Sequence, residues 1–129
     1  MREIIEKTKE LGALIQSSEE VRRFTAARDA YNKDEDIQKL VLEFNRQKMT
    51  MMSLSKADQP DETRIAEAET RIKNLYDSIM ASEKMKEFQE SSNKVQELLN
   101  QVNGIINFYV TGEEPAACTH DCSTCGGCH

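Results

Sequence analysis

The chain has 129 residues, a formal net charge of −6, 31% charged side chains, no tryptophan and two prolines. That length suits one domain with a tail, and the abundance of Glu, Lys, Ala, Leu, Gln and Ser is the balance of a long-helix protein. Acids and bases are interleaved, which argues against direct nucleic-acid binding, and no run approaches the ~18 apolar residues that a membrane span needs.

In chain order, apolar spacing is helical almost throughout. Ile4, Thr8, Leu11 and Ile15 form a first stripe. Ser17 and Glu20 have capping-box spacing and predict the start of a second helix, with Val21, Phe24 and Ala27 on one face. Asn32-Lys33-Asp34 predicts a break, with Asp34 capping a third helix. In that helix Ile37, Leu40, Phe44, Met51 and Leu54 repeat at three and four, with Gln47 in the seam. Lys56 to Pro60 predicts a polar loop, and Asp61-Glu62 after Pro60 suits a helix entrance.

Ile65, Ala68, Ile72, Leu75 and Ile79 make an unbroken heptad seam. A second runs through Met85, Phe88, Ser92, Val95, Leu99, Val102, Ile106 and Tyr109, with Gly112 as its stop. Leu75 and Leu99 are thus expected to be interior. Val41, Met52, Leu98 and Ile105 flank the seams and widen the apolar faces, which calls for further helices against them. The expected fold is all-α: an elongated antiparallel helical bundle of about five helices, two of them long and heptad-patterned, with a non-helical C-terminal tail. The helical domain takes residues 1–112 and the tail residues 113–129.

All four cysteines fall in the tail: Cys118, Cys122, Cys125 and Cys128, spaced C-x3-C-x2-C-x2-C. The N-terminus shows acids in its first turns and no signal-peptide core, so the expected compartment is cytoplasmic, where thiols stay reduced. Four clustered thiolates there point to metal rather than to disulfides. Read backwards, the spacing equals that of bacterial ferredoxins, whose fourth cysteine serves a different cluster. One corner of a cluster here would then come from His129, a partner chain or a second tail. Gly126-Gly127 relaxes the backbone so that sulfurs can converge. An iron–sulfur cluster leads, zinc is the rival, and a copper(I) thiolate site comes third. The plain alternative is an unstructured reactive tail. Apart from its cysteines and Pro115 the tail has no apolar residue larger than alanine, so it needs a metal to order it.

The organisation carries a resemblance. Leu11-Gly-Ala-Leu-Ile-Gln-Ser-Ser-Glu-Glu-Val-Arg-Arg-Phe24, Asp34-Glu-Asp-Ile-Gln-Lys-Leu-Val-Leu-Glu-Phe-Asn45 and Gln101-Val-Asn-Gly-Ile-Ile-Asn-Phe108 resemble the YlbF/YmcA family of small bacterial regulators, over roughly residues 2 to 112. The resemblance implies an all-helical fold that dimerises and a regulatory role through partner proteins. It also implies a complex of YlbF-, YmcA- and YaaT-like proteins that carries 4Fe–4S clusters. That complex is linked to competence, biofilm formation and sporulation, and to messenger RNA maturation with the membrane-anchored ribonuclease Y. YlbF proteins end in a cysteine-rich tail, which Cys118, Cys122, Cys125 and Cys128 would match here.

Other candidates are weaker. His120 and His129, the only histidines, interleave the cysteines and could ligate. Met49, Met51 and Met52 at helical spacing read as gap-fillers or a pliable partner surface rather than a copper site. Arg22, Arg23 and Arg28 lie among Glu19, Glu20 and Asp29 and read as a solvated face. Neither a glycine-rich phosphate loop nor a marked carboxylate pair is present, so no catalytic residue is assigned. The expected function is a non-enzymatic regulator or adaptor, a homodimer or hetero-oligomer with family paralogues, bearing an iron–sulfur tail. An electron-transfer or metal-delivery protein, or a helical scaffold with structural zinc, are the alternatives.

Overall fold

The structure is a computed structural model and describes residues 1–114. Among the described residues there are five α-helices and no strand: α1 (Arg2–Gln16), α2 (Glu19–Lys33), α3 (Glu35–Ser55), α4 (Glu62–Ala81) and α5 (Glu83–Thr111). The all-helical expectation therefore holds. No helix among them is long and apolar enough to cross a membrane. The described residues divide into two compact units, one of Met1–Val95 and one that begins at Gln96.

In the first unit, short polar side chains set the joints. The cap of α2 is Ser18, one residue later than the spacing of Ser17 and Glu20 predicts. Ser17 still has helical dihedrals and closes α1, its Oγ donating to the Leu14 carbonyl at 3.1 Å. Ser18 is extended, the conformation a helix cap needs, and its Oγ accepts the Val21 N–H at 3.3 Å. The break expected over three residues contracts to Asp34, because α2 runs through Lys33. Asp34 Oδ1 accepts the Ile37 N–H at 2.9 Å and starts α3 as predicted. Gln38 Nε2 reaches back to the Tyr31 carbonyl at 2.9 Å, which also accepts the Asp34 N–H at 3.3 Å at the end of α2. Asp61 caps α4 by accepting the Arg64 N–H at 3.2 Å.

Helices α3 and α4 form the main packed pair. They run antiparallel: Leu54 and Arg64 line one groove at the loop end, and the Phe44 and Tyr76 rings lie 6.4 Å apart further along. Ile37, Ala68 and Ile79 are buried, while Leu40, Phe44, Gln47, Met51, Leu54, Ile65, Ile72 and Leu75 are half-buried. Both predicted seams thus face inward. Gln47 is tolerated there because its Nε2 donates to Glu43 Oε1 at 2.9 Å on its own helix.

The first part of α5 meets α2 rather than α4. Phe88 lies 5.7 Å from the Phe24 ring and 5.2 Å from the Tyr31 ring, centroid to centroid. Ala27 is buried, and Ser91 is fully buried at 0% exposure, its Oγ donating to the Phe88 carbonyl at 3.0 Å. The predicted seam runs through Ser92, but Ser91 is the residue with no solvent contact. A hydroxyl satisfied by its own helix removes the cost of burying it.

In the second unit, α5 continues from Gln96 to Thr111. Leu98 and Val102 are half-buried, whereas Leu99, expected in the seam, is 37% exposed. Leu98 lies about 100° around the helix from Leu99, so the covered line of this segment runs through Leu98 and Val102. Gly112 ends the helix with φ +75°, and its N–H donates to the Phe108 carbonyl at 2.8 Å. That left-handed turn is open to glycine without a Cβ penalty and fits the predicted stop.

Candidate interaction surface

Cys118, Cys122, Cys125, Cys128, His120 and His129 all lie outside the described residues. Among the described residues no three His, Cys, Asp or Glu side chains converge on a point that could hold a metal. The metal question therefore rests on the donor chemistry of the tail. Four thiolates fit the coordination of either an iron–sulfur cluster or tetrahedral zinc.

The described helices offer apolar surface instead. Three exposed groups stand out. On α1, Ile4, Ile5 and Leu14 are exposed, and only Leu11 and Ile15 of the predicted stripe are half-covered. On α3, Leu42, Met49 and Met52 are exposed, with Leu42 and Met49 seven residues apart on the side away from the seam. Leu42 and Met49 border a shallow groove with Asn45, Arg46, Thr50 and Arg64. The three methionines named from the sequence do not gather: Met51 points to the seam and is half-buried, while Met49 and Met52 face out. Flexible thioethers on an outer face suit an adaptable contact.

The third group is the end of α5. Ile105, Ile106, Phe108, Tyr109 and Val110 are all exposed, Tyr109 at 83% and Val110 at 78%. Phe108 and Tyr109 meet edge to face, with ring centroids 5.7 Å apart. Scattered apolar residues are ordinary on a surface, but contiguous ones mark contact sites. Of the residues flanking the seams, Met52 and Ile105 are exposed, and Val41 and Leu98 are half-buried.

The basic cluster on α2 is neutralised. Arg22 pairs with Glu19 at 3.0 Å, and Arg28 pairs with Asp29 at 3.5 Å while lying over the Phe24 ring. Arg23 is no solvated arginine. Its Nε and Nη2 donate to the two oxygens of Glu87 at 2.7 and 2.9 Å, and Nη2 lies 3.3 Å from Glu90. Those hydrogen bonds hold the Glu87 carboxyl below its usual range and raise the Arg23 guanidinium further above its own. No local pattern could disclose a pair 64 residues apart. The outward stripe of Leu42 and Met49, by contrast, was open to periodicity once the opposite face had been assigned to the seam.

The family described as "Control of competence regulator ComK, YlbF/YmcA" matches residues 4–111. No curated protein matches the chain.

Proposed function

The chain belongs to the YlbF/YmcA family of competence regulators, and we propose that it acts as a non-enzymatic adaptor, assembling with protein partners and carrying an iron–sulfur cluster on its tail. The observation that carries the adaptor reading is the outward apolar surface of α1 and α3 on an otherwise charged helical chain. Such surface is costly to leave in water at ~25 cal/mol per Å² and is covered most simply by other helices. In this reading residues 1–112 form an antiparallel bundle completed by a second copy or by YmcA-like and YaaT-like paralogues in the cytoplasm, and the assembly serves ribonuclease Y-dependent messenger RNA maturation.

Residues 113–129 are the metal-binding tail in this reading, with Cys118, Cys122, Cys125 and Cys128 as ligands. What supports it is the density of soft donors at the end of a chain that has no cysteine elsewhere. A 4Fe–4S cluster is the occupant we favour, and zinc is the alternative. The test is to purify the full chain anaerobically, size it by light scattering and measure iron, sulfide and zinc. The proposal expects a dimer or larger assembly that is brown and holds iron and sulfide in equal amounts. Colourless protein with zinc would leave a scaffold with a structural site. A monodisperse monomer at micromolar concentration that holds no metal would overturn the proposal.

A further inference from the structure

The end of α5 has more apolar circumference than one neighbouring helix can use. Five of the six residues from Ile105 to Val110 are apolar, and all five are exposed. At 100° per residue they sweep roughly 200° around the helix, about twice the stripe of an ordinary amphipathic helix. Only Asn107 interrupts them. Two residues beyond Val110 the chain turns through the left-handed Gly112, and the Glu113 N–H is held by Thr111 Oγ1 at 3.2 Å.

The chain that leaves this turn has the opposite character. Residues 115–129 contain four thiols and, beside them, no apolar side chains but Pro115, Ala116 and Ala117. A metal–thiolate centre is anionic, polarizable and easily stripped or hydrolysed in water. Its persistence depends on an apolar shell that controls solvent access. The tail cannot supply that shell from its own residues. The last turn of α5 carries no basic side chain that could shield the centre by charge instead.

Reach permits the contact. Cys118 follows Gly112 by six residues, a span of up to ~20 Å when extended. Ile105 to Val110 covers only ~7.5 Å of helix axis. A chain that folded back after Gly112 would be long enough to set its thiols against the apolar ring.

We propose that the apolar end of α5, centred on Ile105, Phe108, Tyr109 and Val110, is the docking surface for residues 115–129 of the same chain in their metal-loaded form. This rests on the reading of the tail as a metal-binding segment. The ring excludes water from the thiolate centre, and the Tyr109 hydroxyl is the one hydrogen-bond donor among its side chains. Without metal the tail has only Pro115 and two alanines to place there, so occupancy of the surface follows occupancy of the tail.

The experiment compares wild type with Tyr109→Ser/Val110→Ser in the full chain, purified anaerobically. Leu42→Ser/Met49→Ser is the control for an exposed apolar pair elsewhere. Iron, sulfide and zinc content is measured first. A water-soluble chelator then strips the metal, and its loss is followed by absorbance and metal analysis, with light scattering on each sample. The expected result is normal metal content in all three and loss about tenfold faster in the Tyr109/Val110 variant only. Equal loss rates in all three overturn the proposal. So does a Tyr109/Val110 variant that falls to a smaller particle with an unchanged loss rate, since a second copy would then be what covers the surface. Wild type without iron or zinc removes the metal-binding reading itself, and the proposal with it.

Discussion

Arg23 on α2 grips Glu87 on α5 with two parallel hydrogen bonds of 2.7 and 2.9 Å. The fork is bidentate and draws in Glu90 as well. It sits beside the ring contacts of Phe88 with Phe24 and Tyr31. Lysine offers a single point charge and cannot reproduce this geometry. Arg23→Lys should therefore lower the melting temperature by a few degrees, and Glu87→Gln by a similar amount. The double variant should fall by less than the sum, because both changes remove one interaction. Additive losses would show that the pair does not couple the helices.

Asp34 serves two helices at once. One carboxylate oxygen accepts the Ile37 N–H, and the other accepts Lys84 Nζ at 2.9 Å. The Ile37 amide first, then Lys84, holds the Asp34 carboxyl below the usual carboxylate range. Glu87 is held low by Arg23. A carboxyl whose folded value lies below its unfolded one, about 4, stabilises the protein fully above that value and stops doing so as pH falls through the folded value. Thermal stability should thus be flat from near neutrality to about pH 5 and drop below about pH 4. Asp34→Asn keeps an N-cap acceptor while losing the pair with Lys84, so it should flatten part of the acid fall. An unchanged acid limb in Asp34→Asn would count against the assignment.

Core and outer positions should separate cleanly. Ile79 is 7% exposed, and Ile79→Ala should cost about 2–5 kcal/mol. Leu75→Asp places an unpaired charge in the α3–α4 seam and should unfold much of a protein whose total stability is of the order of 5–15 kcal/mol. Leu99→Asp should leave helicity and melting of the isolated chain nearly unchanged, since Leu99 is 37% exposed. If Leu99→Asp unfolds the chain by circular dichroism, its side chain is interior after all.

Much of this architecture was legible from periodicity, and the reason is physical. Seams such as Ile65 to Ile79 repeat because one face of each helix must leave water, and caps such as Asp34 and Asp61 repeat because helix ends carry open amides. What periodicity cannot carry is phase over a long helix and contact between distant segments. The choice of Leu98 over Leu99 and of Ser91 over Ser92 is a step of about 100° around α5 that adjacent candidate residues leave open in the sequence. The Arg23–Glu87 pair depends on how α2 and α5 meet, which no local window holds. The cysteines were legible as chemistry from their spacing alone. Their ligands and occupant are matters of proposal.

Removing residues 113–129 should leave the helical circular dichroism and melting temperature nearly unchanged, because α5 already ends at Thr111 on its own glycine cap. Metal content should vanish in the same truncated chain. A loss of helicity on truncation would make the tail a structural staple rather than an appendage.

If the metal-loaded tail covers the end of α5, its metal state also governs what that surface is free to bind. The most direct measurement is the affinity of the full chain for a YmcA-like paralogue from the same host, by calorimetry under anaerobic conditions. Wild type is compared with Cys122→Ser/Cys125→Ser, before and after air exposure. The account predicts that the double variant keeps its helicity, holds no metal and binds with altered affinity, and that air shifts wild type toward the variant while leaving the variant unchanged. Equal affinities in all four conditions would contradict it.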